Sequence, residues 1–406
     1  MNKLTPLQIK TIVICALGYF VDIYDLLLFG IVRVASLKTL GVPEADMLKT
    51  GVYLINMQMT GLLLGGVLWG VLGDKRGRKS VLFGSILLYS LENIANAFVT
   101  SVDAYGWLRL IAGIGLAGEL GAAITLVSEI MPKETRGLGT SVVAGVGILG
   151  AVAASIIGDI FNWQTSYIIG GVMGLGLLTL RSGLLDSQLF AETEKSNVSR
   201  GNFLKLFTQF DFLKKYLSCI LIGVPIWFVI GIIVTFAPEL GKEIGIIGDL
   251  SAGKAIMWTY VGLSIGDIGS GLLSQWLKSR KKVVAVFLSV TYVLVLICLF
   301  SRGLTPTIFY NLCVIMGVGV GYWAMFVTIA AEQFGTNIRA TVATSVPNFV
   351  RGSVIVITLS FKALNNSMNM TSSILAVGTV CFVLAAIALW HLQETYTKDL
   401  NYHDHL

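Results

Sequence analysis

Twelve runs of apolar residues, each long enough to cross a lipid bilayer, leave this chain few folds to choose from. A membrane-spanning helix needs roughly 20 mostly apolar residues. The runs lie at about 11–35, 50–73, 80–100, 103–128, 137–160, 163–183, 216–238, 253–277, 283–301, 305–332, 341–363 and 371–391. Backbone groups in hydrocarbon must satisfy one another, so runs of this length have to be helical. Composition points the same way: 55% of the 406 residues are hydrophobic and 13% are charged, where a soluble domain carries about 25%. The expected fold class is an all-α membrane protein with twelve transmembrane helices. The first run holds Asp22 and Asp25 and is too long for the apolar region of a cleaved signal peptide. The chain is therefore expected to stay in the lipid bilayer.

The remaining composition excludes several classes. A net charge of +6 invites a nucleic-acid reading. That reading fails, because the basic residues are spread over short loops and no basic, aromatic-interleaved domain exists. Cys15, Cys219, Cys298, Cys313 and Cys381 all lie in apolar runs, with neither disulfide nor metal spacing. They read as small core residues. His391, His403 and His405 cluster at the C-terminal end, where a solvated tail is expected rather than a metal site. No zinc-protease motif and no Gly-x-Ser-x-Gly elbow appears. An intramembrane aspartyl protease pair built from Tyr24-Asp25 and Gly266-Asp267 fails at Ser264, where that family needs Gly. No enzyme, metal or cofactor is expected.

The one long polar stretch, Ser182 to Lys215, divides the chain. The expected organisation is 1–183 as an N-terminal six-helix bundle, 184–215 as a cytoplasmic linker, and 216–406 as a C-terminal six-helix bundle with a short tail. Phe203 to Phe212, with basic punctuation, reads as an amphipathic helix on the membrane surface. Most of the 29 Lys and Arg residues share one side if the N-terminus is cytoplasmic, among them Lys75 to Lys79, Lys214, Lys215 and Lys278 to Lys282. The positive-inside rule then puts both termini in the cytoplasm. The halves echo each other: Glu129 and Arg136 follow run four as Glu332 and Arg339 follow run ten. Repeated halves of this kind build many transporter folds.

Between runs two and three stands Gly70-Val-Leu-Gly-Asp74-Lys75-Arg76-Gly77-Arg78-Lys79, a tight charged loop. A partial copy, Gly271-Leu-Leu-Ser-Gln275-Trp-Leu-Lys278-Ser-Arg280-Lys281, follows run eight. Run four contains Arg109-Leu-Ile-Ala-Gly113-Ile-Gly115, and Glu129-x-x-Pro132-x-x-x-Arg136-Gly137 stands behind it. With these motifs in register over the whole chain, the sequence resembles the major facilitator superfamily. Gly18-Tyr-Phe-Val-Asp22-Ile-Tyr-Asp25-Leu26 is similar to the first-helix signature of its proton-coupled phosphate and organic-acid symporters. Gly118-Glu119-Leu-Gly121 resembles its metabolite–proton symporter branches. Gln275 departs from the family, which has an acid there, and Gln164 stands where the family often has Arg. Gly145 to Gly150 lacks the proline of the drug antiporter motif. The resemblance implies two six-helix bundles alternating access to a midplane site. It also implies a gate in which Asp74 pairs with Arg78 and Arg136, while Gly70 and Gly77 permit close packing and a sharp turn. Since Gln275 has replaced the second acid, the latch is expected to be stronger in the first half.

A charge in mid-bilayer costs at least about 2.5–3.5 kcal/mol, so each one is a functional candidate. Asp22 and Asp25 are three apart on one helix face, where two carboxylates raise each other's affinity for a proton. With Glu119 they are the candidates for proton coupling. Arg351 has no acid near it in its own run, and its planar guanidinium suits a carboxylate or phosphate. Arg351, Asn56, Arg109, Tyr322 and Trp323 are the candidates for substrate contact, although packing competes for the aromatic residues and for Trp227. Glu92 stands at a depth that suits a pair with Arg109. Asp267 reads as structural. Asn93 and Asn96 share a helix face and read as cavity lining or as helix-to-helix hydrogen bonds.

The expected function is proton-coupled uptake of a small organic or inorganic anion, driven by the proton gradient. The competing reading is an exporter of drugs or metabolites that uses the same buried acids. A monomer in a bacterial inner membrane is expected. Substrate identity is not legible at this level.

Overall fold

The computed structural model describes residues 5–131, 136–181, 203–334 and 336–396. Among these there is no strand, and twelve helical rods follow one another. α1 (Pro6–Thr39), α2 (Met47–Arg76) and α3 (Arg78–Asn96) come first. Rod four is split into α4 (Val102–Leu116) and α5 (Glu119–Ile130), and α6 (Arg136–Ile160) and α7 (Trp163–Arg181) complete the first half. In the second half, α8 (Phe210–Leu221) and α9 (Val224–Phe228) run through a π-helical turn at Val229–Val234 into α10 (Ala237–Glu243). α11 (Ala252–Leu277) and α12 (Arg280–Phe300) follow. Rod ten is split into α13 (Pro306–Val320) and α14 (Trp323–Glu332), and rod eleven into α15 (Thr336–Gly352) and α16 (Val354–Asn365). α17 (Met370–His391) is the last rod. By length and composition alone, nine of the described helical stretches can cross a membrane.

Polar residues at the rod ends explain where the helices begin. The first N–H groups of a helix have no partner inside it. Thr5 accepts from Gln8 N–H in a capping box with Pro6 next to it. Ser101, Ser251, Ser279, Thr305 and Asn369 cap α4, α11, α12, α13 and α17 in the same way. Gly77 joins α2 to α3 with φ 89°, a value that disfavours any residue with a Cβ. This is the sharp turn expected of the charged loop. Gly70 behaves otherwise. Nothing among the described residues lies within 4 Å of where its Cβ would sit, so it serves no close packing.

Rods four, ten and eleven, expected to be continuous, are interrupted. Hydropathy does not register these breaks because the flanking residues are apolar. In rods four and ten a polar side chain from another rod bonds to the backbone beside the break. The Trp69 indole N–H donates to the Ile114 carbonyl at 2.6 Å, just before the break in rod four. Asp267 Oδ1 accepts from Ala324 N–H at 3.1 Å, just after the break in rod ten. Phe203 to Phe212 also differs from expectation. Phe203–Phe207 is a short 3-10 turn, not an amphipathic helix, because Phe203 stacks against Tyr216 and Phe349. The linker residues 184–202 lie outside the described residues.

Each half is built on one glycine-to-glycine crossing. A Cβ on Gly113 of α4 would meet the Gln58 carbonyl oxygen of α2, and one on Gly61 the Leu110 carbonyl oxygen. In the second half, Gly317 of α13 faces the Thr259 carbonyl of α11, and Gly262 the Val314 carbonyl. Backbones approach this closely only where both sides lack a side chain. The halves meet along α1 and α6 with α11, and along α2 with α15 and α16. Gly113→Ala is therefore expected to destabilise the protein by about 1–3 kcal/mol through overpacking. Gly145→Ala, which faces open space, is expected to leave stability unchanged or slightly raised. Thermal unfolding in one detergent compares the two.

Candidate functional site

Where the two halves face each other they enclose a small cavity. The first half contributes Tyr19, Ile23 and Ile148 to it. The second contributes Trp227, Tyr260, Trp323 and Arg351, with Ile226, Ile230 and Leu263 between them. Ile226, Trp227 and Ile230 share one helix face at the start of the π-helical turn Val229–Val234. The walls are thus aromatic and apolar, and Arg351 carries the only formal charge among the lining residues.

Arg351 is buried, and its guanidinium lies over the Trp323 ring at 5.5 Å from the centroid. It stands within hydrogen-bonding reach of the Tyr19 hydroxyl. No carboxylate among the described residues comes within salt-bridge distance of it. Among the charges that act on the fully buried Asp22, that of Arg351 is the largest. Neither carboxylate oxygen of Asp22 has a hydrogen-bond partner among the described residues. Arg351 thus lines the cavity from the second half, while Asp22, in the first half, is buried next to the lining residue Ile23 and is not itself part of the wall.

The other buried charges are paired. Glu119 and Arg181 form a bidentate ion pair, with Nη1 to Oε2 at 3.0 Å. Arg181 also donates to the Leu82 carbonyl at 2.5 Å, and Ser85 Oγ to Glu119 Oε2 at 3.4 Å. Gly18 of α1 leaves room for this pair. Arg109 Nη2 meets Glu92 Oε1 at 2.6 Å, and its Nη1 stands 3.6 Å from Asp25 Oδ1. The Tyr167 ring covers that guanidinium at 4.9 Å. Asn96 donates to Glu92 as well.

This geometry refines several expectations. Asp22 and Asp25 act on each other, but their cationic neighbours differ: Asp25 stands near Arg109, and the charge that acts most on Asp22 after its burial is Arg351. Arg109, Asn56 and Tyr322 are not among the cavity-lining residues. Arg109 is occupied by Glu92 and Asp25, and Asn56 Oδ1 accepts from Thr358 Oγ1 at 2.6 Å across the halves. Tyr322 donates its hydroxyl to the Ile222 carbonyl at 2.9 Å. Trp323 and Arg351 do line the cavity. Trp227, expected to pack, lines it too. Arg181, Tyr19 and Tyr260 had no sequence signal beyond their place in an apolar run. Arg181 stands at the end of a run, where sequence alone reads it as one more loop charge.

The halves touch on both sides of the cavity. Near the Thr39 end of α1, Arg33 pairs with Glu239 at 2.8 Å and stacks on Phe236, while Ser155 Oγ donates to the Gly253 carbonyl at 2.8 Å. On the other side, Asn348 Nδ2 donates to the Ala117 carbonyl at 2.9 Å. The halves are therefore tied to each other at both of these places. The side chains of Asp74, Arg78 and Arg136, expected at the first-half gate, lie outside the described residues. In the second half the missing loop acid is replaced from elsewhere. Arg280 pairs with Glu332 at 2.7 Å, and Gln275 accepts from the Tyr396 hydroxyl at 2.9 Å. Glu394, beyond the last helix, takes hydrogen bonds from the Ser279 hydroxyl and the Arg280 N–H. Burial works against its charge, but these bonds hold its carboxyl below the usual range. The loss of the loop acid therefore does not leave the second loop untied.

The sequence profile of the Major Facilitator Superfamily matches residues 15–359. The chain belongs to that superfamily. It is a multi-pass membrane transporter and not an enzyme. A Haemophilus influenzae protein assigned to metabolite transport is 26% identical over 403 residues, spanning 96% of this chain and 97% of that one. The gentisate transporter of Corynebacterium glutamicum is 24% identical, over 93% of this chain and 86% of its own. Among solved structures, the inward-open xylose transporter XylE of E. coli superimposes with a TM-score of 0.70 at 15% identity, covering 97% of this chain and 98% of that one. That likeness is one of fold.

Breaking a buried ion pair from one side leaves a bare charge and costs about 3–5 kcal/mol. Glu119→Gln is expected to lower stability by about that amount, and Glu119→Leu with Arg181→Leu to recover most of it. Thermal unfolding of the two variants decides.

Proposed function

We propose that this transporter takes up a small aromatic carboxylate together with a proton, by alternating access around the cavity. The observation that carries the reading is Arg351: a buried guanidinium without a salt-bridged carboxylate among the described residues, set over Trp323 in a cavity walled by Trp227, Tyr19 and Tyr260. A guanidinium holds a carboxylate by two parallel hydrogen bonds, and aromatic walls favour a flat apolar body. The relative named for gentisate, an aromatic carboxylate, supports the same class.

Coupling follows from charge. While the cavity is empty, Arg351 is the main cation acting on Asp22. A bound carboxylate takes up the guanidinium, and Asp22 is left in a dry site without a counter-charge. Desolvation and a neighbouring anion both favour the protonated form of a carboxyl group. The anion therefore enters with a proton. Asp25 and Glu119, already engaged with Arg109 and Arg181, serve as secondary proton sites. The bundles 1–183 and 216–406 move about the 184–215 linker, with Asp74, Gly77, Arg78 and Arg136 at the cytoplasmic gate. Both termini face the cytoplasm of a bacterium whose inner membrane holds the protein as a monomer.

Uptake into proteoliposomes under an imposed pH gradient, run in both orientations with gentisate, benzoate, phosphate and a cationic drug, tests the class and the direction. Gradient-driven accumulation of the aromatic acids alone is expected. Accumulation of the cation by antiport would make the protein an exporter instead. Arg351→Ala is expected to weaken aromatic-anion binding roughly 10- to 100-fold, the loss of a charge-assisted bidentate bond. Asp22→Asn is expected to abolish accumulation and spare exchange of labelled for unlabelled substrate. Full accumulation by that variant contradicts the assignment.

A further inference from the structure

We propose that Asp267, which does not line the cavity, positions its aromatic wall by capping α14 from a neighbouring helix and so holding Trp323 against Arg351. The proposal rests on the cavity being the substrate site.

α14 begins at Trp323 in the middle of a membrane-spanning rod. Its own N-cap, Tyr322, offers no side-chain acceptor. The N–H groups of the first turn have no partner inside the helix, and no water is at hand in hydrocarbon to replace one. Asp267 of α11 supplies the acceptor. Its Oδ1 takes the Ala324 N–H at 3.1 Å.

Position makes this a link to the cavity. Tyr260 and Leu263 both line it, and residues 260, 263 and 267 fall on one face of α11 by helical spacing. Asp267 is thus the next turn beyond the lining residues. Gly266 and Gly321 bring the two backbones into direct contact beside it: a Cβ on Gly321 would meet the Gly266 Cα. That contact sets the carboxylate at the break in rod ten. Trp323, the first residue of the capped helix, carries the ring that lies 5.5 Å from the Arg351 guanidinium and 4.8 Å from Phe326. The break in rod four is handled differently. Its N-cap Gly118 also lacks a side-chain bond, but there Trp69 donates to a carbonyl before the break and no acid caps the helix after it. The charged cap therefore belongs to the half that carries the arginine and the tryptophan of the cavity.

The test compares Asp267→Leu, which fills similar space without an acceptor, with Asp267→Asn, which keeps the acceptor oxygen and drops the charge. Amide hydrogen exchange is followed over residues 321–328 in purified protein, and gentisate uptake in proteoliposomes. In Asp267→Leu, exchange at Ala324 is expected to quicken about tenfold, as for a lost helix cap. Half-saturation for gentisate is expected to rise about tenfold with the maximal rate within about twofold, the pattern of lost ground-state positioning. Asp267→Asn is expected to restore both. Unchanged exchange in Asp267→Leu overturns the cap. Faster exchange with unchanged half-saturation, or a loss of maximal rate alone, overturns the positioning role. If Asp267→Leu does not fold, Asp267→Ser, whose hydroxyl is too short to reach, is read by the same two criteria. If the wild type takes up no gentisate, the aromatic-acid reading falls, while the exchange measurement still decides the cap.

Discussion

An ionised side chain without a partner in hydrocarbon costs at least about 2.5–3.5 kcal/mol, and the interior of this protein is arranged around that cost. Glu119 and Arg181 cancel each other, as do Arg33 and Glu239 where the halves meet. Arg109 serves two acids, Glu92 and Asp25. Asp267 is held by a backbone N–H, and Arg351, at the cavity, and Asp22, buried in the other half, act on each other without a salt bridge. Neutrality in the cavity thus depends on what fills it. Any anion that claims the arginine changes the charge the aspartate can hold. In the proposed mechanism this exclusion links substrate and proton without a dedicated relay between them.

Backbone geometry lets the charges be placed so deep. The glycine crossings at Gly61 with Gly113 and at Gly262 with Gly317 bring rods into backbone contact within each half. The breaks at Gly118 and Gly321 then turn the ends of rods four and ten. One break starts the helix that carries Glu119, the other the helix that carries Trp323. Both halves thus use a helix break at corresponding positions to aim a functional side chain inward. Half-helices at the midplane are also where a transporter can bend as it changes state.

Much of this was legible before any coordinates. Hydropathy alone implies twelve rods, because the bilayer sets a length that the apolar runs either reach or fail to reach. Gly77 was legible because a turn between two spans needs a residue free to take positive φ. Gly70, in the same motif, was not: whether a glycine packs depends on what stands opposite. The same limit hid the Glu119–Arg181 pair and the turning of Asp25 to Arg109. Helical spacing says which residues share a face, but it does not say which other helix that face meets. Trp227 and Tyr19 look like core residues until the neighbouring face proves to be empty space. The breaks in rods four, ten and eleven escaped for a further reason. Those in rods four and ten stand beside Trp69 and Asp267, which reach in from other rods, so nothing in the interrupted segment announces them.

The central claim is that a carboxylate bound at Arg351 obliges Asp22 to take a proton. The most direct measurement is proton uptake by the purified, unbuffered protein at neutral pH as gentisate is added. The account predicts that the solution turns alkaline in step with binding, close to one proton per site, and that Asp22→Asn binds without this change. Saturable gentisate binding by the wild type with no proton taken up would contradict it.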